Sequence, residues 1–245
     1  FSACALQAKP RIDRAEPLCW WTEMNCPLTL LLHGEDLADA QVTINQLQNG
    51  RVVKGECTGL QVKSQHNAES PNYLFVDLAV NAPGTYRITL KKNKRSTSVD
   101  YTIHTRREGS RERQGFNSSD LIYLIMSDRF VDGDESNNTV ESMAEACAKD
   151  NVHGRFGGDI QGIINSLDHI AALGATAIWP TPLLEDNEAA WSYHGYACSD
   201  YYHIDPRYGS NELYCEMVEK AHEKGIKFIM DMVPNHCGGT HWWMK

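Results

Sequence analysis

The chain has 245 residues, of which 42% are hydrophobic and 22% charged, and its formal net charge is −9. This length and composition are typical of a globular protein with one large domain or two smaller ones, which excludes disordered and fibrous classes. The acidic balance, without any basic stripe, argues against nucleic acid as a partner. No apolar run approaches the roughly 18 residues of a membrane span, so we expect no membrane-spanning segment.

The first ten residues, FSACALQAKP, begin without methionine and are rich in small side chains. This pattern is typical of the end of a secretory signal, either a cleavage site after Leu-Gln-Ala or a lipobox-like Phe-Ser-Ala-Cys with a lipid anchor at Cys4. The alternative is a random apolar start. We predict that residues 1–10 are a signal-peptide remnant or a disordered start, and that the protein is exported to the periplasm.

Residues 11–105 contain short apolar runs separated by turn signals. The runs are LTLLLHG, AQVTINQLQNGRVV, NYLFVDLAV and GTYRITLKK, with Asn-Gly and Ala-Pro-Gly between them. Strands at this spacing, without helical periodicity, predict an all-β immunoglobulin-like sandwich. Residues 106–119 are polar and rich in Gly, Ser and Arg, as is typical of a linker between domains.

After the linker, largely apolar strands alternate with amphipathic helices. The predicted strands are LIYLIM (121–126), ATAIWP (175–180) and IKFIMDMV (226–233). Isoleucine and leucine recur every three or four residues over 159–174, which predicts a helix that ends at Gly174. A second helix is predicted between an N-cap at Ser210 and a stop at Gly225. This alternation is the repeat of a parallel α/β fold.

Residues 127–138, SDRFVDGDESNN, carry oxygen ligands around a glycine. Hard oxygens at this spacing let a tight loop surround a cation such as calcium, and the candidate ligands are Asp132, Asp134, Asn137 and Asn138. On spacing alone, a solvated acidic turn is equally consistent. In RFGGDIQG (155–162), the carbonyl of Gly157 and the side chain of Asp159 come to the start of a helix, where Asp159 is either a further ligand or only an N-cap.

Residues 191–209, WSYHGYACSDYYHIDPRYG, place six aromatic side chains among histidines and aspartates. Aromatic faces stack on sugar rings while His and Asp side chains bind hydroxyls, so the loop suits carbohydrate. Packing of these aromatics against the domain is the alternative. Asp231 and the following Pro-Asn-His end the third strand, where parallel α/β folds place functional residues.

These motifs together resemble one known family. SDRFVDGD, GGDIQGIINSLDHIAALGATAIWPTP, YHGY, DYYHIDPRYGS and MDMVPNH are similar to the α-amylase family, glycoside hydrolase family 13. The preceding sandwich resembles the N-terminal domain of its cyclomaltodextrinase and neopullulanase branch. The resemblance implies that residues 120–245 form the first three βα units of a (β/α)8 TIM barrel, incomplete in this chain, which would be an N-terminal fragment.

The resemblance also implies roles for individual residues. Asp231 would orient the active-site arginine, His236 would bind the 6-hydroxyl of the sugar at the cleavage point, and Asn235 would hold the loop. Tyr196 would stack beneath that sugar and His194 would contact it. Calcium would be bound by a set matching that of the neopullulanase-like branch: Asp132, Asp134, Asn137, Asn138, Gly157 and Asp159.

The implied activity is retaining hydrolysis of α-1,4-glucosidic bonds in maltooligosaccharides, cyclodextrins, pullulan or starch. The family's nucleophile, its general acid and its third acid would lie beyond Lys245, so we expect residues 1–245 alone to be inactive. One alternative is a transglycosylase of the same family. Another is a non-catalytic carbohydrate-binding protein that uses Trp20 and Trp21. The resemblance further implies a homodimer formed through the sandwich.

Overall fold

The computed structural model describes residues 9–244, and the chain divides into two compact units, one ending at Arg113 and the other beginning at Gln114. Cys4 and the predicted signal-peptide remnant, apart from residues 9 and 10, lie outside the described residues. The sequence boundaries drawn for the sandwich, the linker and the barrel segment stay predictions.

The first unit contains nine strands in two sheets. The strands are β1 (Arg11–Glu16), β2 (Cys19–Trp21), β3 (Leu28–Glu35), β4 (Gln41–Gln48), β5 (Arg51–Val52), β6 (Leu60–Asn67), β7 (Tyr73–Val80), β8 (Gly84–Lys92) and β9 (Arg95–His104). One sheet has the order β1-β3-β7-β6 and the other β2-β9-β8-β4-β5. Neighbouring strands are antiparallel except for β2 and β9, which are parallel.

The core of this unit follows from period-two alternation along its strands. Every second residue of β3 and β8 turns inward, and these buried side chains join one apolar cluster: Leu28, Leu30, Leu32, Tyr86, Ile88 and Leu90. Burying one such aliphatic side chain contributes about 1.5–3 kcal/mol. Because strands of both sheets supply this cluster, the sheets pack face to face, and the predicted immunoglobulin-like sandwich is confirmed.

The second unit is built on a three-stranded parallel sheet. Its strands and helices are β10 (Ile122–Ile125), α1 (Ile160–Asn165), α2 (Leu167–Ala172), β11 (Ala177–Pro180), β12 (Leu184–Glu185), β13 (Asp200–Ile204), α3 (Asn211–Glu223) and β14 (Lys227–Phe228). The sheet has the order β10-β11-β14, and β12 pairs with β13 as a separate antiparallel ribbon. Short 3-10 turns span Ser127–Arg129, Glu135–Asn137, Ser192–His194 and Trp242–Met244.

The helix predicted over 159–174 is interrupted at Ser166, which separates α1 from α2. The hydroxyl of Ser166 donates to the carbonyl of Gly162 at 2.8 Å. Such a local bond from a serine side chain competes with the regular backbone ladder and bends helices. Periodicity alone therefore located the buried face correctly but missed the break.

Helix α3 agrees closely with its prediction. The side chain of Ser210 accepts a hydrogen bond from the backbone N–H of Leu213, so it caps the helix as expected. Gly225 follows the helix with φ of +72°, a conformation that glycine adopts without steric cost. In the described part of the chain, no helix has both the length and the apolar character to cross a bilayer.

Strand β14 is much shorter than the predicted 226–233. It pairs with β11 only through Lys227 and Phe228. The ladder stops near Pro180, the last residue of β11, because proline has no backbone N–H to donate.

The sheet of the second unit is open. It has three strands in the described residues and does not close into a barrel. One consequence is a row of large apolar side chains exposed along and just beyond these strands: Leu124, Trp179, Met230 and Met232. The second unit therefore has the alternating strand–helix order and parallel sheet of the predicted α/β fold, as an open part of a barrel.

Candidate active site

Side chains from the end of β11, from the loop between β12 and β13 and from the segment after β14 meet at the C-terminal edge of the sheet. The Oδ2 atom of Asp231 accepts hydrogen bonds from the indole N–H of Trp179 and from the hydroxyl of Tyr196, both at 3.1 Å. The structure thus brings together Asp231 and Tyr196, both predicted from sequence. Trp179 was missed because its position within an apolar strand suggested burial, yet its side chain is partly exposed.

Tyr196 offers both an aromatic face and a hydroxyl. The residue is 38% exposed. Burial raises the pKa of its phenol, and the hydrogen bond to Asp231 raises it further. The hydroxyl therefore remains protonated and donates to Asp231.

His236 contacts the backbone of the same tyrosine. Its Nε2 lies 3.1 Å from the carbonyl oxygen of Tyr196, and its Nδ1 lies 3.0 Å from the amide nitrogen of Asn235. A carbonyl only accepts, so Nε2 carries the proton and Nδ1 accepts from Asn235. Asn235 thus sets the tautomer of His236, which can reach a sugar hydroxyl only by releasing the carbonyl of Tyr196.

His194 belongs to the same cluster. Its Nδ1 accepts from the backbone N–H of Tyr196 at 2.9 Å, and the two rings lie with centroids 5.8 Å apart. Burial lowers the pKa of His194, which favours the neutral ring. With Nδ1 accepting, the proton sits on Nε2, which leaves His194 as a neutral hydrogen-bond donor. All five predicted active-site residues therefore lie in one region.

A buried ion pair supports this region, and sequence analysis did not single it out. Arg207 is 1% exposed and makes two hydrogen bonds to the carboxylate of Asp205, at 2.9 and 2.7 Å. The same guanidinium donates to the backbone carbonyls of Glu145 at 2.8 Å and Asp186 at 2.6 Å. Arg207 therefore ties together segments that are distant in sequence. The Asp-Pro-Arg triplet at 205–207 is its sequence signal, but nothing in the letters shows burial.

Asp186, whose backbone carbonyl accepts from Arg207, has an ionisable side chain of its own. Its carboxylate accepts backbone N–H bonds from Glu188 at 3.2 Å and from Ala197 at 3.1 Å. Burial raises the pKa of Asp186 to about 6, and these two hydrogen bonds offset only part of that effect.

The raised pKa predicts how stability depends on pH. Between about pH 4 and 6 the native carboxyl of Asp186 keeps a proton that the unfolded chain has lost, so the free energy of unfolding should fall as pH rises through this window. Asp186→Asn removes this titration. The free energy of unfolding, measured with urea at about pH 4.5 and at pH 7, should fall less between these pH values for the variant than for the wild type. Equal losses would assign the pH dependence to other groups.

Within the loop after β10, residues 132–138 contain three buried side-chain oxygens that accept no hydrogen bond: Asp132 Oδ1, Asn137 Oδ1 and Asn138 Oδ1. Each buried acceptor without a donor costs about 1–3 kcal/mol, so three in one loop point to a positively charged partner. A Cβ at Gly157 would lie 2.1 Å from Asn138 Oδ1, so only glycine fits against this amide. Carboxylate and amide oxygens are the ligands that calcium prefers, and these residues fit it.

The other two predicted ligands make structural hydrogen bonds. Asp134 Oδ1 accepts from the backbone N–H of Ser136 at 3.0 Å and caps a 3-10 turn. Asp159 accepts from the backbone N–H of Gly162 at 2.6 Å and so caps α1. An N-cap was the alternative to a ligand role that the sequence predicted for this residue. Asp159 also accepts from the N–H of Gly133 at 3.1 Å, which holds the two halves of the loop together. Ligation by Asp134 and Asp159 stays a prediction.

The charge state of Asp132 suits a cation ligand. Burial acts to raise the pKa of its carboxyl, but hydrogen bonds from Lys149 and Asn138 outweigh that effect and lower it. Lys149 Nζ lies 2.9 Å from Asp132 Oδ2, which leaves Oδ1 unpaired. In residues 9–244, no group of three or more His, Cys, Asp or Glu side chains could hold a metal, so a site in this loop depends on the asparagine amides.

The tryptophan pair of the sandwich was the alternative sugar platform. Trp20 packs against the sandwich core and is half-buried, which assigns it mainly to packing. Trp21 is more exposed, and its ring lies against His104 with centroids 5.9 Å apart. Both tryptophans line one surface pocket of the sandwich, which stays the alternative place for a sugar.

Comparison with known proteins matches both units. The family described as "Alpha amylase, catalytic domain" matches residues 124–245, and the family described as "Cyclomaltodextrinase, N-terminal" matches residues 14–107. The two matched segments follow each other in the order that the sequence motifs predicted.

Individual relatives agree with these matches. A cyclomaltodextrinase of Thermoanaerobacter pseudethanolicus is 42% identical over 118 residues, which are 48% of this chain and 20% of that protein. Neopullulanase 2 of Thermoactinomyces vulgaris is 40% identical over 121 residues, again 48% of this chain and 20% of the relative. A solved α-amylase structure from Anoxybacillus shares 37% identity, covers 51% of this chain and 26% of that one, and has a TM-score of 0.45. The chain thus spans only about a fifth of these curated relatives.

Proposed function

The chain belongs to the α-amylase family of glycoside hydrolases, and on that premise we propose that its second unit holds the substrate in the active site of a retaining α-1,4-glucan hydrolase. Its substrates are maltooligosaccharides, cyclodextrins, pullulan or starch. This choice is supported by relatives named cyclomaltodextrinase, neopullulanase and α-amylase.

The observation that carries the proposal is the shared contact of Tyr196 and Trp179 with one oxygen of Asp231. This contact fixes a half-exposed phenol ring beside a carboxylate and two histidines. A glucose ring has an apolar face that can lie on Tyr196, while its hydroxyls meet Asp231, His194 and His236. Both bonds fall on Oδ2 of Asp231, so Oδ1 is available for a cationic partner such as the family's arginine.

These residues bind and orient the sugar but do not supply the cleaving pair. Retaining cleavage needs a carboxylate nucleophile and an acid about 5–5.5 Å from it. Asp205 is buried and paired with Arg207, which excludes it, and the side chains that hydrogen-bond Asp231 are those of Trp179 and Tyr196 and not a second carboxyl. We assign neither nucleophile nor general acid within residues 9–244. A transglycosylase would use the same sugar contacts and differ in whether water or a second sugar accepts the glycosyl group.

Calorimetric titration with maltoheptaose tests the proposal. The wild-type chain should bind maltoheptaose without releasing reducing sugar, because the sugar contacts are present and we assign no cleaving pair to the described residues. Tyr196→Ala should weaken binding at least about tenfold, or 1.4 kcal/mol, since it removes the stacking surface. Phe75→Ala, a sandwich aromatic that is 36% exposed, is the matched control and should bind as the wild type does. Equal affinity in all three proteins would refute the proposed site.

We also propose that calcium binds in the loop after β10. Asp132, Asn137, Asn138 and the carbonyl of Gly157 would hold it, with Asp134 and Asp159 completing the set. Support comes from the three buried oxygens without a hydrogen-bond donor. When bound, the ion supplies positive charge that compensates these oxygens, so its contribution is to the stability of the loop.

A further inference from the structure

Trp191 combines two unfavourable features. The residue is 59% exposed, which places much of a large aromatic ring in water. Its backbone is left-handed, with φ of +63° and ψ of 14°. A bulky side chain at positive φ is uncommon and strained, and such residues persist only where their surroundings hold them in place.

Hydrogen bonds from other segments of the chain fix the backbone at Trp191 and Ser192. The carboxylate of Glu145 accepts from the backbone N–H groups of Trp191 at 3.2 Å and of Ser192 at 2.7 Å. Glu145 is in turn held through its carbonyl by Arg207 at 2.8 Å. The buried Arg155 donates to the carbonyl of Ser192 at 3.1 Å. The buried guanidiniums of Arg155 and Arg207 and the carboxylate of Glu145 thus fix the backbone at Trp191, whose side chain is exposed to solvent.

The setting of Trp191 favours a sugar ring over a protein as its partner. Protein interfaces need a contiguous apolar patch, but the preceding exposed residues, Ala189 and Ala190, are small and Ser192 is buried. Trp191 also directly precedes the 3-10 turn that carries His194, and Tyr196 lies two residues after that turn. An isolated, fixed aromatic next to polar sugar contacts suits stacking on one pyranose ring.

We propose that Trp191 is a second stacking residue, which binds a glucose unit of the glucan beyond the unit that lies on Tyr196. This inference rests on the proposed function. A disaccharide that fills the position at Tyr196 would gain little from Trp191, whereas a longer chain would contact both rings. Trp191 would therefore set a preference for longer substrates.

The test compares two ligands in matched variants. Trp191→Ala and Trp191→Gly should each bind maltoheptaose at least about tenfold more weakly than the wild type, with maltose affinity unchanged. Glycine accepts positive φ without strain, so the glycine variant should unfold at a higher temperature than the alanine variant. Phe116→Ala, which removes an exposed aromatic side chain from the segment before β10, is the control and should change neither affinity.

Each other outcome overturns the inference. Unchanged maltoheptaose affinity in both Trp191 variants would remove Trp191 from the binding surface. Equal weakening of both ligands would mean that Trp191 acts only by shaping the position at Tyr196. Unchanged glucan affinity with loss of self-association in sedimentation would make Trp191 a protein contact. If the wild type binds neither maltoheptaose nor maltose, the proposed function itself is wrong. If the wild type binds maltoheptaose and the Trp191 variants bind it equally well, only the inference about Trp191 is wrong.

Discussion

Arg207→Met is expected to destabilise the second unit by about 3–5 kcal/mol, because it leaves the carboxylate of Asp205 buried without a counter-charge. Asp205 is fully buried, and the backbone carbonyls of Glu145 and Asp186 would lose their donor in the same variant. Hydrogen exchange read by mass spectrometry should show faster exchange in α3 and β11 while the sandwich strands keep their protection.

The control is a second arginine–aspartate pair in the same chain. Arg87 makes two hydrogen bonds to Asp100, at 2.7 and 2.8 Å, but both side chains are substantially exposed. Arg87→Met should therefore change exchange in β8 and β9 only slightly, since exposed pairs contribute at most about 1 kcal/mol. Similar effects of the two substitutions would show that burial of the Asp205–Arg207 pair is not what makes it important.

Calcium is expected to raise the melting temperature of the protein, and a chelator is expected to reverse the rise. Calcium at about 100 times its dissociation constant would stabilise the native state by about 2.7 kcal/mol. Asp132→Ala should abolish this response, because it removes a carboxylate ligand that has a buried oxygen without a hydrogen-bond donor. Differential scanning fluorimetry with calcium and with EDTA measures the effect.

Asp150→Ala is the control for the calcium experiment. Asp150 is an exposed acid close to the loop in sequence, so its removal changes net charge equally without touching the candidate ligands. It should keep the full calcium response. A wild type that melts at one temperature under both conditions would reject the site, and a persistent response in Asp132→Ala would move it elsewhere.

The sequence predicted the elements that rest on local chemistry. Periodicity located both amphipathic helical segments, and the serine and glycine flanking α3 marked its ends correctly. The strand runs were recognisable because they are continuously apolar, as parallel strands of α/β folds usually are. Because functional residues of such folds follow the strand ends, the sequence placed Asp231 and His236 at one edge of the sheet, and the family resemblance added Tyr196 to them.

What the sequence could not predict depends on contacts between distant segments. The hydroxyl of Ser166 competes with the helix ladder only in its final geometry, and Pro180 shortens β14 from the neighbouring strand. Asp205 and Arg207 look like surface charges until the fold buries them. Trp179 looks like a buried strand residue until the open sheet face exposes it. Export to the periplasm and dimerisation through the sandwich stay predictions.

A crystal structure of the protein with maltoheptaose would test the central claim most directly. The account predicts a glucose ring stacked on Tyr196, with sugar hydroxyls within hydrogen-bond distance of Asp231 and His236. Ordered glucan found only on the sandwich, for example at Trp20 and Trp21, with the Tyr196 ring bare, would contradict it.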